Sequence, residues 1–216
     1  MFTKYGYGTI SLVILIVFIV IVISLFINNN LAKYILILLS VFVVIFTLNF
    51  FRDPDRNTPK RDNVIIAPAD GKVISISKLV PEEFITENVN MLSIFMSPLD
   101  VHVNRIPVSG KIKYLNHKEG KFLKAFEGEA YIENERNLIG IENENGKVLF
   151  SQVAGAMARR IVCELNLDDT VQLGKRFGMI KFGSRSDIYA PLNWKPVVNI
   201  GDKVKAGETI LFELTK

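Results

Sequence analysis

The sequence predicts an all-β soluble domain carried behind an N-terminal two-helix membrane hairpin. Two observations predict it: a pair of uncharged apolar runs of 18 residues each before residue 52, and, from Asn63 onward, a succession of short β-branched or aromatic runs punctuated by Gly, Pro and Asn. Composition agrees, because 49% of the 216 residues are hydrophobic, more than a domain dissolved in water needs. It also excludes several functions. A single cysteine, Cys163, leaves no internal disulfide framework and no multi-thiolate zinc site, and two histidines, His102 and His117, are too few for a multi-histidine metal centre.

The first run, Ile10 to Ile27, has only Ser11 and Ser24 as polar residues, and the second, Tyr34 to Phe51, only Ser40, Thr47 and Asn49. At about 1.5 Å per residue each helix reaches ~27 Å, close to the roughly 30 Å hydrocarbon core of a bilayer. The Ile and Val that dominate both runs disfavour helix in water, but in lipid the backbone must satisfy its own hydrogen bonds. A cleaved signal peptide fits less well, since the first run lacks a small-x-small site and a second span follows at once. Asn28, Asn29 and Asn30 make the turn, with Lys33 its only charge, whereas Arg52, Arg56, Lys60 and Arg61 follow the second span. The positive-inside rule then puts both termini in the cytoplasm. All of the formal +4 lies in Met1 to Arg61, with six bases against two acids, and the neutral remainder argues against a nucleic-acid-binding domain. The expected division is a hairpin at 1–52, a linker bracketed by Pro54 and Pro59 at 53–62, and a β-domain at 63–216.

Within that domain the expected strands are Val64 to Ile66, Lys72 to Ile76, Met91 to Phe95, Lys111 to Leu115, Leu138 to Ile141, Lys147 to Val153, Met179 to Phe182, Ile188 to Tyr189 and Thr209 to Leu214. Asn145-Gly146 signals a hairpin through a type I′ turn, which needs positive φ at both central residues. Gly120 to Glu135 is the one segment with room for a helix. A short echo, P-x-x-G-K plus an aliphatic residue, recurs 39 residues apart at Pro68 and Pro107 and suggests a duplicated turn-and-strand unit.

Three places carry candidate chemistry. Gly183-Ser184 follows a predicted strand; Gly-Ser is most simply a turn, but a glycine before a serine also lets Oγ approach the preceding carbonyl. Asp100-Val101-His102-Val103-Asn104-Arg105 offers an imidazole for proton transfer with an acid and a base nearby, or else a strand-end histidine satisfied by backbone. Asp70, in Ala67-Pro68-Ala69-Asp70-Gly71, reads as a turn residue or as a carboxylate that assists a proton transfer. His117 reads as an exposed turn histidine, and Glu133, Glu135 and Arg136 as a solvated face.

Taken together, Phe51-Arg52-Asp53-Pro54, Ala67-Pro68-Ala69-Asp70-Gly71-Lys72-Val73, Met96-Ser97-Pro98-Leu99-Asp100-Val101-His102, Asn134-Glu135-Arg136 and Phe182-Gly183-Ser184, in this order, resemble the phosphatidylserine decarboxylase proenzymes. The likeness is to the short branch of that family, which includes archaetidylserine decarboxylase-like proteins. It implies a carboxy-lyase precursor that cuts itself between Gly183 and Ser184 into a β chain, 1–183, and an α chain, 184–216, which stay associated. Ser184 becomes a pyruvoyl group, the covalent cofactor, and no metal is needed. Its ketone forms a Schiff base with the amine of phosphatidylserine, accepts the electron pair left by CO2, and yields phosphatidylethanolamine. His102 is the expected proton donor, Asp70 a participant in self-cleavage, and Arg105 an expected carboxylate or phosphate binder. Arg105 stands where larger-branch relatives commonly have a second histidine, so the cut is left either to His102 serving both steps or to backbone strain with Asp70. The implied partner is an aminophospholipid in the cell membrane, met on the cytoplasmic side; a homo-oligomer is left open.

Two other classes stay in view. Val198 to Glu208 resembles the closing strand-turn of biotinyl or lipoyl domains, which makes a binding module an alternative, although no lysine sits in a carrier turn. That likeness points to a barrel-sandwich-hybrid-like fold. An uncut serine hydrolase using Ser184 is the other alternative, and it requires a base and an oxyanion hole.

Overall fold

The computed structural model describes residues 1–81, 83–125, 130–156, 160–181 and 184–215. The chain divides into two units, Met1–Asp55 and Arg56–Lys216.

In the first unit the apolar runs form two helices, α1 (Tyr7–Leu25) and α2 (Asn30–Phe50). Asn29 caps α2, its side chain accepting from the Ala32 N–H at 3.1 Å, so the asparagine turn also supplies the stop and start signals. The chain ends on either side of the hairpin are tied together: Thr3 N–H donates to Phe51 O at 3.0 Å and Asp53 N–H to Met1 O at 2.8 Å. Gly6 lies so close to the Phe51 ring that an added Cβ would meet Cδ1 at 2.3 Å. Leu12, Phe18, Leu38, Phe42 and Ile45 point outward, as side chains do where the surrounding medium is apolar. Both helices are long and apolar enough to cross a membrane.

The second unit is β throughout: β1 (Val64–Ile66), β2 (Gly71–Leu79), β3 (Val89–Met96), β4 (Val103–Arg105), β5 (Gly110–Lys118), one helical turn α3 (Ala130–Glu133), β6 (Arg136–Asn143), β7 (Gly146–Ala154), β8 (Arg160–Cys163), β9 (Thr170–Val171), β10 (Arg176–Lys181), β11 (Ser184–Pro191), β12 (Trp194–Pro196), β13 (Lys203–Val204) and β14 (Ile210–Leu214). The main sheet runs β13-β2-β3-β11-β7-β6-β5-β9, flanked by β4-β10-β8 and β1-β14-β12, with antiparallel pairing. The predicted all-β class behind a two-helix hairpin is what the chain adopts. Among the described residues of Gly120 to Glu135, the segment with room for a helix, α3 is helical; residues 126–129 lie outside the described residues. Strand β11 starts at Ser184, well before the expected Ile188, because Arg185, Ser186 and Asp187 look like a loop in sequence yet are buried. The β6–β7 hairpin forms, but by a different turn: Asn143 pairs with Gly146, Asn143 Oδ1 accepts from Asn145 N–H at 2.9 Å, and positive φ occurs at Gly146 rather than at Asn145.

The sequence echo marks a duplicated unit. Gly71 opens β2 against Phe95 O, and Gly110 opens β5 against Glu142 O; an added Cβ would meet those carbonyls at 2.1 and 2.6 Å, so neither position admits another residue. Each strand bulges at the same offset, between Val73 and Ser75 and between Ile112 and Tyr114. Each is closed by a matching turn: Val73 N–H donates to Asp202 O and Ile112 N–H to Asp169 O, both at 2.9 Å, and Gly207 N–H donates to Ala67 O and Gly174 N–H to Ile106 O, again at 2.9 Å. The halves cross-link reciprocally, Ile66 N–H to Pro107 O and Arg105 N–H to Pro68 O, both at 2.9 Å.

Because strand residues alternate, the main sheet has two faces. One buries Ile94, Ile112, Ile139, Ile141, Phe150 and Ile188 in the principal core. The other is covered by Phe84, Ile85 and Tyr131 over Met91, Leu138, Leu149 and Tyr189. Glu83 pins this cover: Tyr114 Oη and Lys118 Nζ donate to its carboxylate, as does Asn116 Nδ2 at 3.1 Å. Burial pushes the Glu83 carboxyl up, but the bonds from Lys118, Tyr114 and Asn116 with the Lys118 charge outweigh it and bring it down to about 2. Glu83 therefore stabilises the fold above its ordinary value of 4.5, and that contribution is lost as pH falls through about 2. Urea unfolding of the full chain in detergent should find Glu83→Gln less stable than the parent near neutral pH. The gap should close as pH is lowered from about 4.5 towards 2; a gap independent of pH would mean that the carboxylate's charge is not what holds the cover.

Candidate functional site

Ser184 is the first residue of β11 and is fully buried. Its register partners are Met96 on β3 and Ala154 on β7. Among the described residues its hydroxyl donates to Met96 Sδ, at 3.1 Å, and a thioether is a weak acceptor. The preceding Gly183, like Phe182, lies outside the described residues.

Met96 and Ala154 belong to a small apolar cluster with Ala69 and Ile180. Through it the structure gathers three sequence-predicted residues at one end of the domain. Ala69 precedes Asp70, and the Ile180 N–H donates to His102 O at 3.4 Å. The His102 ring is completely buried, with Nδ1 2.9 Å from Asp100 O. A carbonyl can only accept, so Nδ1 carries the proton and Nε2 is the nitrogen that exchanges one. The Asp100 carboxylate accepts from the Ser97 N–H at 2.8 Å.

Among the described residues Asp70 has two partners. Arg56 Nη2 donates to both carboxylate oxygens, at 3.0 and 2.8 Å, and Ala206 N–H donates to Oδ1 at 2.7 Å. The carboxyl is nonetheless raised above its ordinary value: burial outweighs the Ala206 N–H and the Arg56 guanidinium, and the Asp100 charge adds to the rise. The duplication explains one of these bonds. Ser109 occupies the place of Asp70 in the other half, and its Oγ accepts from Leu173 N–H at 2.9 Å. Capping this turn is thus common to both halves, whereas the second oxygen and its arginine belong to the Asp70 half alone.

Arg105 is buried on β4, its Nη1 donating to Gly174 O at 3.1 Å. Its Cδ lies where a Cβ on Gly207 would be, 2.6 Å away, so it spans the two matching turns. Sequence reasoning missed Arg56, which it counted among the charges flanking the hairpin. Its side chain is 6% exposed and also reaches Glu208 at 3.7 Å; nothing local distinguishes it from Arg52, Lys60 or Arg61. It missed a buried amide chain as well: Gln152 Nε2 donates to Asn104 Oδ1 at 2.9 Å, and Asn137 Nδ2 to Gln152 Oε1 at 3.2 Å. This chain fixes β4 directly after His102. Asn134 donates to Ala154 O at 2.7 Å, bracing a partner of Ser184. Arg136, expected on a solvated face, is buried and donates to Ile132 O and Asn134 O, because α3 folds back over it. His117 lies in β5 rather than a turn, 2.7 Å from Asn137 Oδ1.

Residues 43–212 match the phosphatidylserine decarboxylase family. Similar proteins include the phosphatidylserine decarboxylase proenzymes of Chlorobium phaeovibrioides, 54% identical over 79% of this chain and 78% of the relative, and of Chlorobium luteolum, 46% identical over 98% and 99%. That of Prosthecochloris aestuarii is 45% identical over 99% and 98%.

The match between Asp70 and Ser109 separates two roles of one side chain. Asp70→Ser should keep the Ala206 N–H capped and be more stable to urea than Asp70→Ala by about 1 kcal/mol. Equal losses would show that the cap contributes nothing.

Proposed function

Because the chain belongs to the phosphatidylserine decarboxylase family, we propose that it is a proenzyme that cuts itself between Gly183 and Ser184 and then removes the serine carboxylate of phosphatidylserine as CO2, leaving phosphatidylethanolamine. The observation that carries this reading is the setting of Ser184: a buried hydroxyl at the first position of a central strand, donating to the weak acceptor Met96 Sδ, at the end of the domain that also holds His102 and Asp70.

Ser184 Oγ attacks the Gly183 carbonyl carbon, and the acyl group moves from nitrogen to oxygen, turning the amide into an ester. The proton leaving Oγ goes to His102 Nε2 or to the Asp70 carboxylate, whose raised value suits it to exchange protons closer to neutral pH. Loss of the Ser184 Cα proton breaks the Cβ–O bond, releases Gly183 as a carboxylate and leaves dehydroalanine, which water converts to a ketone with loss of ammonia.

The surroundings of Ser184 fit a pyruvoyl group. Met96 and Ala154 flank the position, and the cluster around them is apolar, which strengthens any electron-withdrawing group there by lowering the local dielectric. The group supplies an electrophilic ketone that takes up the electron pair released with CO2. His102, held through Nδ1 by Asp100 O, presents Nε2 as the donor that returns a proton to the substrate's former α-carbon. Arg105 contributes a permanent positive charge at this end, the sign that an anionic headgroup requires. The apolar hairpin suits membrane association and raises the effective concentration of an insoluble substrate. We place the β unit on the cytoplasmic side, where the basic residues after α2 point.

Intact-mass spectrometry of the recombinant protein tests the cut. Two chains are expected, the smaller starting at residue 184 and lighter than its serine-start mass by one ammonia, whereas Ser184→Ala should remain a single chain without CO2 release; activity in that variant would overturn the mechanism. His102→Gln is expected to release CO2 at least about a hundredfold more slowly. If it is cut normally, His102 serves protonation; if it stays uncut, His102 is the base for the cut. Unchanged turnover would remove it from both roles.

A further inference from the structure

Ser184 and Arg185 are neighbours on β11, so their side chains leave the sheet on opposite faces. On the face away from the Ser184 hydroxyl, Arg185 Nε donates to Asp187 Oδ1 at 2.6 Å and Nη2 to Ser93 Oγ at 2.7 Å. The guanidinium lies 5.4 Å from the centroid of the Tyr131 ring. Asp187 Oδ2 accepts from Ser151 Oγ at 3.3 Å. The side chains of the ion pair are 4% and 0% exposed. Taking two charges this far out of water is costly, and well-packed apolar residues would give at least as much overall stability. What the pair adds is direction, since it ties the start of β11 to both β3 and β7.

The ladder shows why this location matters. Along β7 the paired residues are Ser184↔Ala154 and Arg185↔Val153, and then Ile188↔Phe150. Between them Ser151 stands in for the ladder, its Oγ accepting from Asp187 N–H at 3.2 Å and its carbonyl from Ser186 Oγ at 2.6 Å. On the β7 side Ser184 and Arg185 thus form a short paired stub beyond an interruption, while along β3 the pairing runs unbroken from Ser184↔Met96 to Pro191↔Val89. In an uncut chain this stub is held covalently from both sides. After a cut before residue 184 it is a free strand end, and strand ends fray.

We propose that Arg185, through its buried pair with Asp187 and its bond to Ser93, is the positioning residue that keeps residue 184 in register once the chain has been cut. The inference rests on the proposed cut at Gly183-Ser184. Self-cleavage does not need the anchor, because the chain is then continuous; decarboxylation does, because a displacement of about 1 Å can cost roughly a hundredfold in rate.

The test compares the full chain in detergent with Arg185→Lys and with the double variant Arg185→Met/Asp187→Leu, which removes both charges of the pair together. Wild type is examined first by mass spectrometry, and an uncut wild type would refute the cleavage reading itself, independently of the anchor. With wild type cut, both variants should be cut to completion, and kcat in the double variant should fall about tenfold or more with KM within about twofold. Arg185→Lys should recover part of kcat, since an ammonium still reaches Asp187. Amide exchange at positions 185 and 187 should quicken in the cut double variant but not when Ser184→Ala is added and the chain stays whole. Undiminished kcat, loss of cleavage in a folded variant, or equal exchange in cut and uncut chains would overturn the proposal. Should the double variant fail to fold, an Arg185→Lys enzyme that folds and turns over like wild type would overturn it too.

Discussion

The structure depends on the burial of β11 on both faces. One side of this strand places Ile188 in the principal core and Ser184 in the small cluster with Met96 and Ala154; the other carries Arg185, Asp187 and Tyr189 under the cover formed by Phe84, Ile85 and Tyr131. A strand without a solvent face cannot shift register by one residue without exchanging apolar and charged positions inside the protein. Ser184 is therefore held in one orientation by the whole sheet rather than by its own contacts. Residues at the same end are held in the same indirect way, His102 by a carbonyl and Asp70 by a turn.

The duplication gives a second view of the site, because chemistry is expected where the halves differ. Both halves use a glycine pressed against a neighbouring carbonyl, a bulge at the same offset and a side-chain cap on the closing turn. At the cap, serine in one half becomes aspartate in the other. At the residues that exchange hydrogen bonds across the halves, Ile66 is matched by Arg105. A symmetric scaffold needs none of these charges for its fold, and burying them is unfavourable unless each is paired. Asp70 meets that requirement with Arg56, and Arg105 donates to the Gly174 carbonyl at the same end of the domain.

The gap between what could be read and what could not follows from the range of each signal. The echo at Pro68 and Pro107 is local; its partner turns, Asn166 to Gly174 and Asn199 to Gly207, repeat N-x-x-D-x-V-x-x-G in the sequence, but only the fold shows which strand each turn closes. Strands β4, β9 and β13 are two or three residues long and exist only because a distant strand pairs with them. Arg185, Ser186 and Asp187 read as loop residues since burial of charge has no local signature. Arg56 was assigned to a linker because composition cannot tell a solvated arginine from one that has found Asp70.

By itself the sequence determined the two apolar helices, the all-β class of the remainder and the ordered motifs ending at Gly183-Ser184. Each of these is written in neighbouring residues: in the length of an uncharged run, in the alternation of side chains, and in turn residues with particular backbone demands. The tertiary structure alone decided which polar side chains lie inside and what they meet. Arg56 meets Asp70, Gln152 meets Asn104, and Arg185 meets Ser93, because hydrogen bonding and desolvation are settled between segments far apart in the chain, where one sequence carries no periodicity that reports on another.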